Sequence, residues 1–278
     1  MEELINRIEA LFGTVGREKP EDFDALFGRF RDLLNTGRIR AAEPLGDGWK
    51  VNAWVKKGIL LGFRYGTMED YSISGGFRYF DKSTYPLRPT DSDDGIRIVP
   101  GGTSLRSGCY LSPGVVIMPP AYVNVGAWVG ADTMIDSHAL VGSCAQVGAR
   151  VHLSAGAQIG GVLEPVGAAP VIIEDDVVIG GNSGIYEGIT VRRGAVIGAG
   201  TVLTASVPVY DLANGTRLKV QRGESLVIPE NAVVVPGSRP LETSEYAREN
   251  RLQVNCGLII KYRDEKTDAA TALEELLR

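Results

Sequence analysis

The chain has little of what several common activities require. Two histidines in 278 residues are too few for a three-imidazole zinc site, which excludes a zinc hydratase chemistry on count alone. The three cysteines, Cys109, Cys144 and Cys256, are odd in number and widely spaced. They offer no CxxC clip and no disulfide framework, and they point to a reducing compartment. No Lys/Arg block occurs and the net charge is −5, so a phosphate backbone finds no basic face and nucleic acid is excluded as a partner. No stretch reaches the roughly 18 apolar residues of a membrane span. The segment Met1–Arg7 lacks the basic start and apolar run of a secretory signal. The expected location is the cytoplasm.

What the chain has in excess is glycine, 35 residues, nearly twice the average share of about 7%. Most of the excess falls between residues 95 and 200, which calls for a repeat search before any element is assigned. From Val99, steps of six give Leu105, Leu111, Ile117, Val123, Val129, Ile135, Val141, Val147, Leu153 and Ile159; after a break, Ile173, Ile179, Ile185, Val191, Ile197, Leu203 and Val209 continue the series. A second register four residues later holds small or apolar residues such as Cys109, Ala121, Thr133, Ala145, Ala157, Ser183 and Thr201. A small residue and the next aliphatic are two apart, so in an extended strand both point inward. Three residues per hexad remain to turn, and these positions are rich in glycine and Asn/Asp, as a positive φ angle demands. The spacing predicts a three-sided coil of 18 residues per turn, stacked at about 4.8 Å. Between Ile159 and Ile173 fourteen residues stand where two hexads need twelve, and Pro165 and Pro170 cannot join a ladder; residues 161–170 are expected to leave the prism.

Before the repeat, apolar spacing at Leu4, Ile5, Ile8, Leu11 and Phe12, then at Phe23, Leu26, Phe27, Phe30, Leu33 and Leu34, predicts two short helices within residues 1–36. Residues 38–80 read as mixed helix and strand. Stacked parallel strands leave unpaired backbone at each end, so a capping domain has a physical task. Beyond the repeat, 226–235 and 254–261 read as strands and 269–278 as helix. The expected division is an N-terminal α/β domain over 1–96, the prism over 97–215 and a C-terminal segment over 216–278.

The segment from Met134 to Gly148, with its Gly-Ser-Cys-Ala-Gln-Val-Gly run at 142–148, closely resembles the tetrahydrodipicolinate N-succinyltransferase family. The Gly-Gly-Val-Leu-Glu-Pro run at 160–165 belongs to the same likeness, as do Trp54–Lys57, Phe63–Arg64, Arg78–Lys82, Arg97–Pro100, Val233–Pro240 and Lys266–Thr267. The resemblance covers nearly the whole chain. It implies a mainly β fold, a left-handed parallel β-helix with an N-terminal α/β cap and a short C-terminal strand/helix segment. It also implies succinyl transfer from succinyl-CoA to an amino dicarboxylate in lysine and diaminopimelate biosynthesis. Succinyl-CoA would be a co-substrate, with no permanently bound cofactor and no metal, and the assembly a homotrimer with sites between subunits.

Acyl transfer from a thioester to an amine needs a base for the amine proton and donors for the developing oxyanion. The resemblance assigns the base to Asp136, which otherwise suits a turn-forming role. It expects a second carboxylate where this chain has Gly184, so Glu187 nearby inherits that candidacy. The resemblance further places Arg97, Asp136 and Ser154 on the substrate, a guanidinium fork suiting a carboxylate. Gly180, Gly198 and Lys266 are implied at CoA. His152, on an outward strand position, ranks second as a base; His138 reads as a turn residue and Cys144 as a small turn residue rather than a nucleophile. Two other readings stand beside this one: an acetyl-CoA-dependent transferase on a related amine, and a non-catalytic β-helix scaffold.

Overall fold

The computed structural model describes residues 1–14, 18–73, 76–218, 220 and 225–264. Two helices open the chain, α1 (Glu2–Gly13) and α2 (Phe23–Asn35). A hairpin of β1 (Ala42–Leu45) and β2 (Gly48–Val51) follows, then α3 (Ala53–Tyr65). The run read from sequence as mixed therefore divides into a hairpin, a helix and a second small hairpin of Met68–Asp70 with Phe80–Lys82. Val55, Ile59 and Gly62 bring one side of α3 inward at i, i+4 and i+7. The two glycines on this side allow close approach: a Cβ at Gly58 would lie 2.6 Å from the Phe30 ring, and one at Gly62 2.5 Å from Phe27.

The hexads wind as a parallel β-helix with three faces. The first face carries Arg97–Ile98, Val116–Ile117, Met134–Ile135, His152–Leu153, Val178–Ile179 and Val196–Ile197. The second runs from Ser104–Leu105 to Val202–Leu203, and the third from Tyr110–Leu111 to Val227–Ile228. Met134 pairs with Val116 and His152, 18 residues either way; His152 pairs with Val178, 26 residues on; Val178 pairs with Val196, 18 again. The break is thus a single face step and not two hexads: fourteen residues span a step that takes six elsewhere, because 161–170 bulge out and re-enter on the next face. Lys56 on α3, fully buried, holds this excursion by donating from Nζ to the Ala168 carbonyl at 2.6 Å.

Of the eighteen aliphatic positions, all but Val99 are buried; Val99 is half-buried because it stands at the open first coil. The polar members of the small register are satisfied within the corners. Thr133 donates to the Gly148 carbonyl (2.8 Å), and Ser183 and Thr201 donate to that of Gly198 (3.0 and 2.6 Å). Unpartnered, each would cost about 1–3 kcal/mol. A second core joins the N-terminal helices to the prism through Val125 and Cys144. Beyond the last coil, Ala232–Pro240 continues the first face and pairs antiparallel with Gln253–Tyr262; a short helix, α4 (Glu245–Glu249), lies between them. The C-terminal helix expected over 269–278 lies outside the described residues. Among the described residues, no helix is long and apolar enough to cross a membrane.

Candidate active site

The corner between the first and second faces gathers four of the sequence-predicted residues. Each coil sends its corner N–H to the coil above: Asp136 to Leu153 O (2.8 Å), Ser154 to Ile179 O (2.9 Å), Gly180 to Ile197 O (2.7 Å) and Gly198 to Val234 O (2.7 Å). Asp136, Ser154, Gly180 and Gly198 therefore form a column, rising about 4.8 Å per coil. Its upper half carries no side chains. Packing contributes to that bareness, since a Cβ at Gly180 would stand 2.5 Å from the backbone nitrogen of Ala199. Arg97, exposed, lies on the first face two coils below Asp136.

Asp136 is half-buried, and its Oδ1 accepts the Ser137 N–H at 2.6 Å. That turn bond fixes the carboxylate while the other oxygen has no partner among the described residues. The turn-forming role and a role as proton acceptor are thus compatible in one side chain. Ser154, half-buried one coil above, stands beside it.

Glu187 is elsewhere. It occupies the corner between the second and third faces, with φ +55, and its Oε2 accepts the Ala205 N–H at 2.7 Å. Asp136 and Glu187 flank opposite edges of the second face, so one chain does not bring them together. Gly184 lies on that face, and the space a side chain there would enter is taken by Tyr186: a Cβ at Gly184 would be 2.4 Å from the Tyr186 ring and 2.7 Å from its hydroxyl. This tyrosine is not among the sequence-predicted site residues. Its signal was the spacing, since residues 184 and 186 share a side of an extended strand.

His152 is buried on the outer side of the first face between Met134 and Val178, two residues before Ser154 of the corner column. His138 is exposed in the left-handed turn position (φ +63). Cys144 occupies the equivalent turn position (φ +65), and burial pushes its thiol up to about 12, so it is no thiolate nucleophile at neutral pH. Lys266 lies outside the described residues. The Gly-Ser-Cys-Ala-Gln-Val-Gly run turns out to be a docking element. Cys144 packs into the N-terminal core, and the fully buried Gln146 donates to the Cys144 carbonyl (2.9 Å) while its Oε1 accepts from Arg40 Nε (2.9 Å).

A three-faced prism of hexads, with small and polar groups aligned along one corner, defines the class of hexapeptide-repeat proteins. The pattern described as the N-terminal part of tetrahydrodipicolinate N-succinyltransferase matches residues 3–65, and that of the hexapeptide repeat of succinyl-transferase matches 170–205. Curated 2,3,4,5-tetrahydropyridine-2,6-dicarboxylate N-succinyltransferases are similar along their full length. That of Methylococcus capsulatus is 46% identical over 98% of this chain and 95% of its own, and that of Nitrosomonas eutropha 42% over 100% and 99%. The chain belongs to the tetrahydrodipicolinate N-succinyltransferase family. A Campylobacter jejuni structure described as a 2,3,4,5-tetrahydropyridine-2-carboxylate N-succinyltransferase shares the fold, with a TM-score of 0.50 at 18% identity over 87% of this chain and 64% of that one.

Proposed function

We propose that the chain transfers a succinyl group from succinyl-CoA to the amino group of ring-opened tetrahydrodipicolinate, a step of lysine and diaminopimelate biosynthesis carried out in the cytoplasm. The observation that carries this reading is full-length similarity to curated enzymes of that name, together with the corner column from Asp136 to Gly198. Asp136 takes the proton of the attacking amine through its unpartnered oxygen, and Arg97 and Ser154 bind the acceptor. The bare corner at Gly180 and Gly198 gives the thioester arm access to the prism backbone, and Lys266 is assigned to CoA. No covalent enzyme intermediate is required.

The working form is a homotrimer. Three copies around an axis facing the second face would set the Asp136 corner of one against the Glu187 corner of the next. On that face the exposed Val202 and the half-buried Tyr122 and Leu140 supply apolar contact. The large clefts of the single chain lie elsewhere, and Asp136 lines none of three of them, which is what a site completed by a neighbour requires. Glu187 and Tyr186 then face the acceptor from across the interface.

The test is thiol release by the purified protein with tetrahydrodipicolinate and either succinyl-CoA or acetyl-CoA. Turnover with succinyl-CoA at least tenfold faster supports the reading; a preference for acetyl-CoA selects the acetyltransferase alternative, and no release with either donor leaves a scaffold.

A further inference from the structure

At the opposite corner, between the third and first faces, the β1–β2 hairpin and the prism enclose a cleft of about 760 Å³. Its floor is built from half-buried polar groups that rest on the fully buried Gln146. The Arg40 guanidinium lies 3.7 Å from the centroid of the Trp128 ring and 5.4 Å from that of Trp49. Its Nε is fixed by Gln146, and its backbone carbonyl accepts from Asn52 (3.0 Å). Burial brings its pKa down to about 10, so it keeps its charge at neutral pH.

Donors and acceptors are unevenly spent here. Glu174 is fully engaged by Trp49 Nε1 (3.0 Å), Arg192 Nη1 (3.1 Å) and the Arg193 N–H (3.0 Å). Asp175 accepts the Ala149 N–H (2.9 Å). In contrast, the terminal nitrogens of Arg40 have no hydrogen-bond partner among the described residues, and the buried Trp128 Nε1 has none either. The floor thus holds a fixed cation and an unsatisfied N–H donor, a pairing that suits a carboxylate. The rim carries two exposed carboxylates, Asp47 and Glu230, with no partner among the described residues. An anion at the floor with a cation at the rim is the charge pattern of a zwitterion.

We infer that this cleft is a binding site for a free amino acid, its carboxylate on Arg40 and Trp128 Nε1 and its ammonium between Asp47 and Glu230. The inference does not depend on the acyl-transfer reading, because the cleft lies at a different prism corner from Asp136. It is tested by titration calorimetry of the full chain with the common L-amino acids singly, and with acetate and methylammonium as one-charge probes. At least one amino acid should bind with a Kd below about 10 mM, and both one-charge probes about tenfold or more weaker. Trp128→Phe removes the N–H together with part of the indole and leaves a smaller aromatic face for Arg40 and Tyr110; it should fold, leave thiol-release turnover unchanged and weaken the amino acid about tenfold. Asp47→Asn, on the exposed rim, should weaken the amino acid but not acetate. No heat from any amino acid, acetate binding as tightly as the best of them, or unchanged affinity in Trp128→Phe would each overturn the site.

Discussion

Two corners of the same prism, built on the same hexad, carry opposite chemistry. Between the first and second faces the turning residues are Asp136, Ser154, Gly180 and Gly198, small and largely uncommitted. Between the third and first faces Asp176 is locked by Arg150 (2.6 and 2.9 Å) and Arg193 (3.2 Å), and its carbonyl accepts from Arg263 (3.1 Å). Positive-φ residues turn both corners, His138, Gly156, Asn182 and Gly200 at one and Asp132, Arg150, Asp176 and Gly194 at the other, so along these coils the backbone does not distinguish them. What differs is whether the turning side chains find partners one coil away. Around Asp176 the paired charges knit the coils together and leave that carboxylate nothing to offer a ligand; an unpaired carboxylate beside bare backbone does the reverse.

The sharpest way to break the comparison is Asp136→Asn. Asparagine keeps an Oδ1 for the Ser137 N–H and loses the proton acceptor. Turnover should fall about a hundredfold or more, as general-base removal does, with the thermal midpoint and succinyl-CoA affinity little changed. Near-normal turnover would make this corner as passive as its charged counterpart and pass the role of base to Glu187 or His152.

Glu187→Gln should cost less, about tenfold in turnover, since the amide oxygen can still accept from Ala205. Its greater use is in mixing. If the two corners meet only between copies, hybrids of Asp136→Asn and Glu187→Gln subunits should contain intact interfaces, about one in four for random assembly. Thiol-release activity would then rise well above that of either parent; strictly averaged activity would place both groups in separate sites.

The smallest effect belongs to the charged corner. Asp176→Asn removes partly exposed ion pairs worth about 1 kcal/mol or less, with no change in turnover. The hydrogen bond from Arg150 holds the Asp176 carboxyl below its ordinary value. A depressed folded-state pKa stabilises above the unfolded value, near 3.9, and that contribution is lost as pH falls through the folded value. Thermal scans should therefore show a small wild-type advantage at neutral pH that disappears in acid. An advantage that persisted at low pH would mean the carboxylate's charge is not what ties these coils.

Much of the molecule was legible in the chain before any coordinates. The aliphatic and small registers specify an interior because a period of six with two inward residues has no other way to bury them, and the glycines mark the turns because few residues tolerate positive φ. The likeness at residues 134–148 and 160–165 led to the family, although the first of these runs proved to dock Arg40 and the N-terminal core. Which residues share a corner was decided only by the folded chain. The excursion at 161–170 occupies one face step instead of two hexads, and that count alone sets Gly180 above Ser154 and sends Glu187 to another edge. Likewise, Tyr186 closing over Gly184 depends on a side-chain direction, and the Arg40–Gln146 contact joins positions 106 apart, a separation at which local propensity has nothing to say.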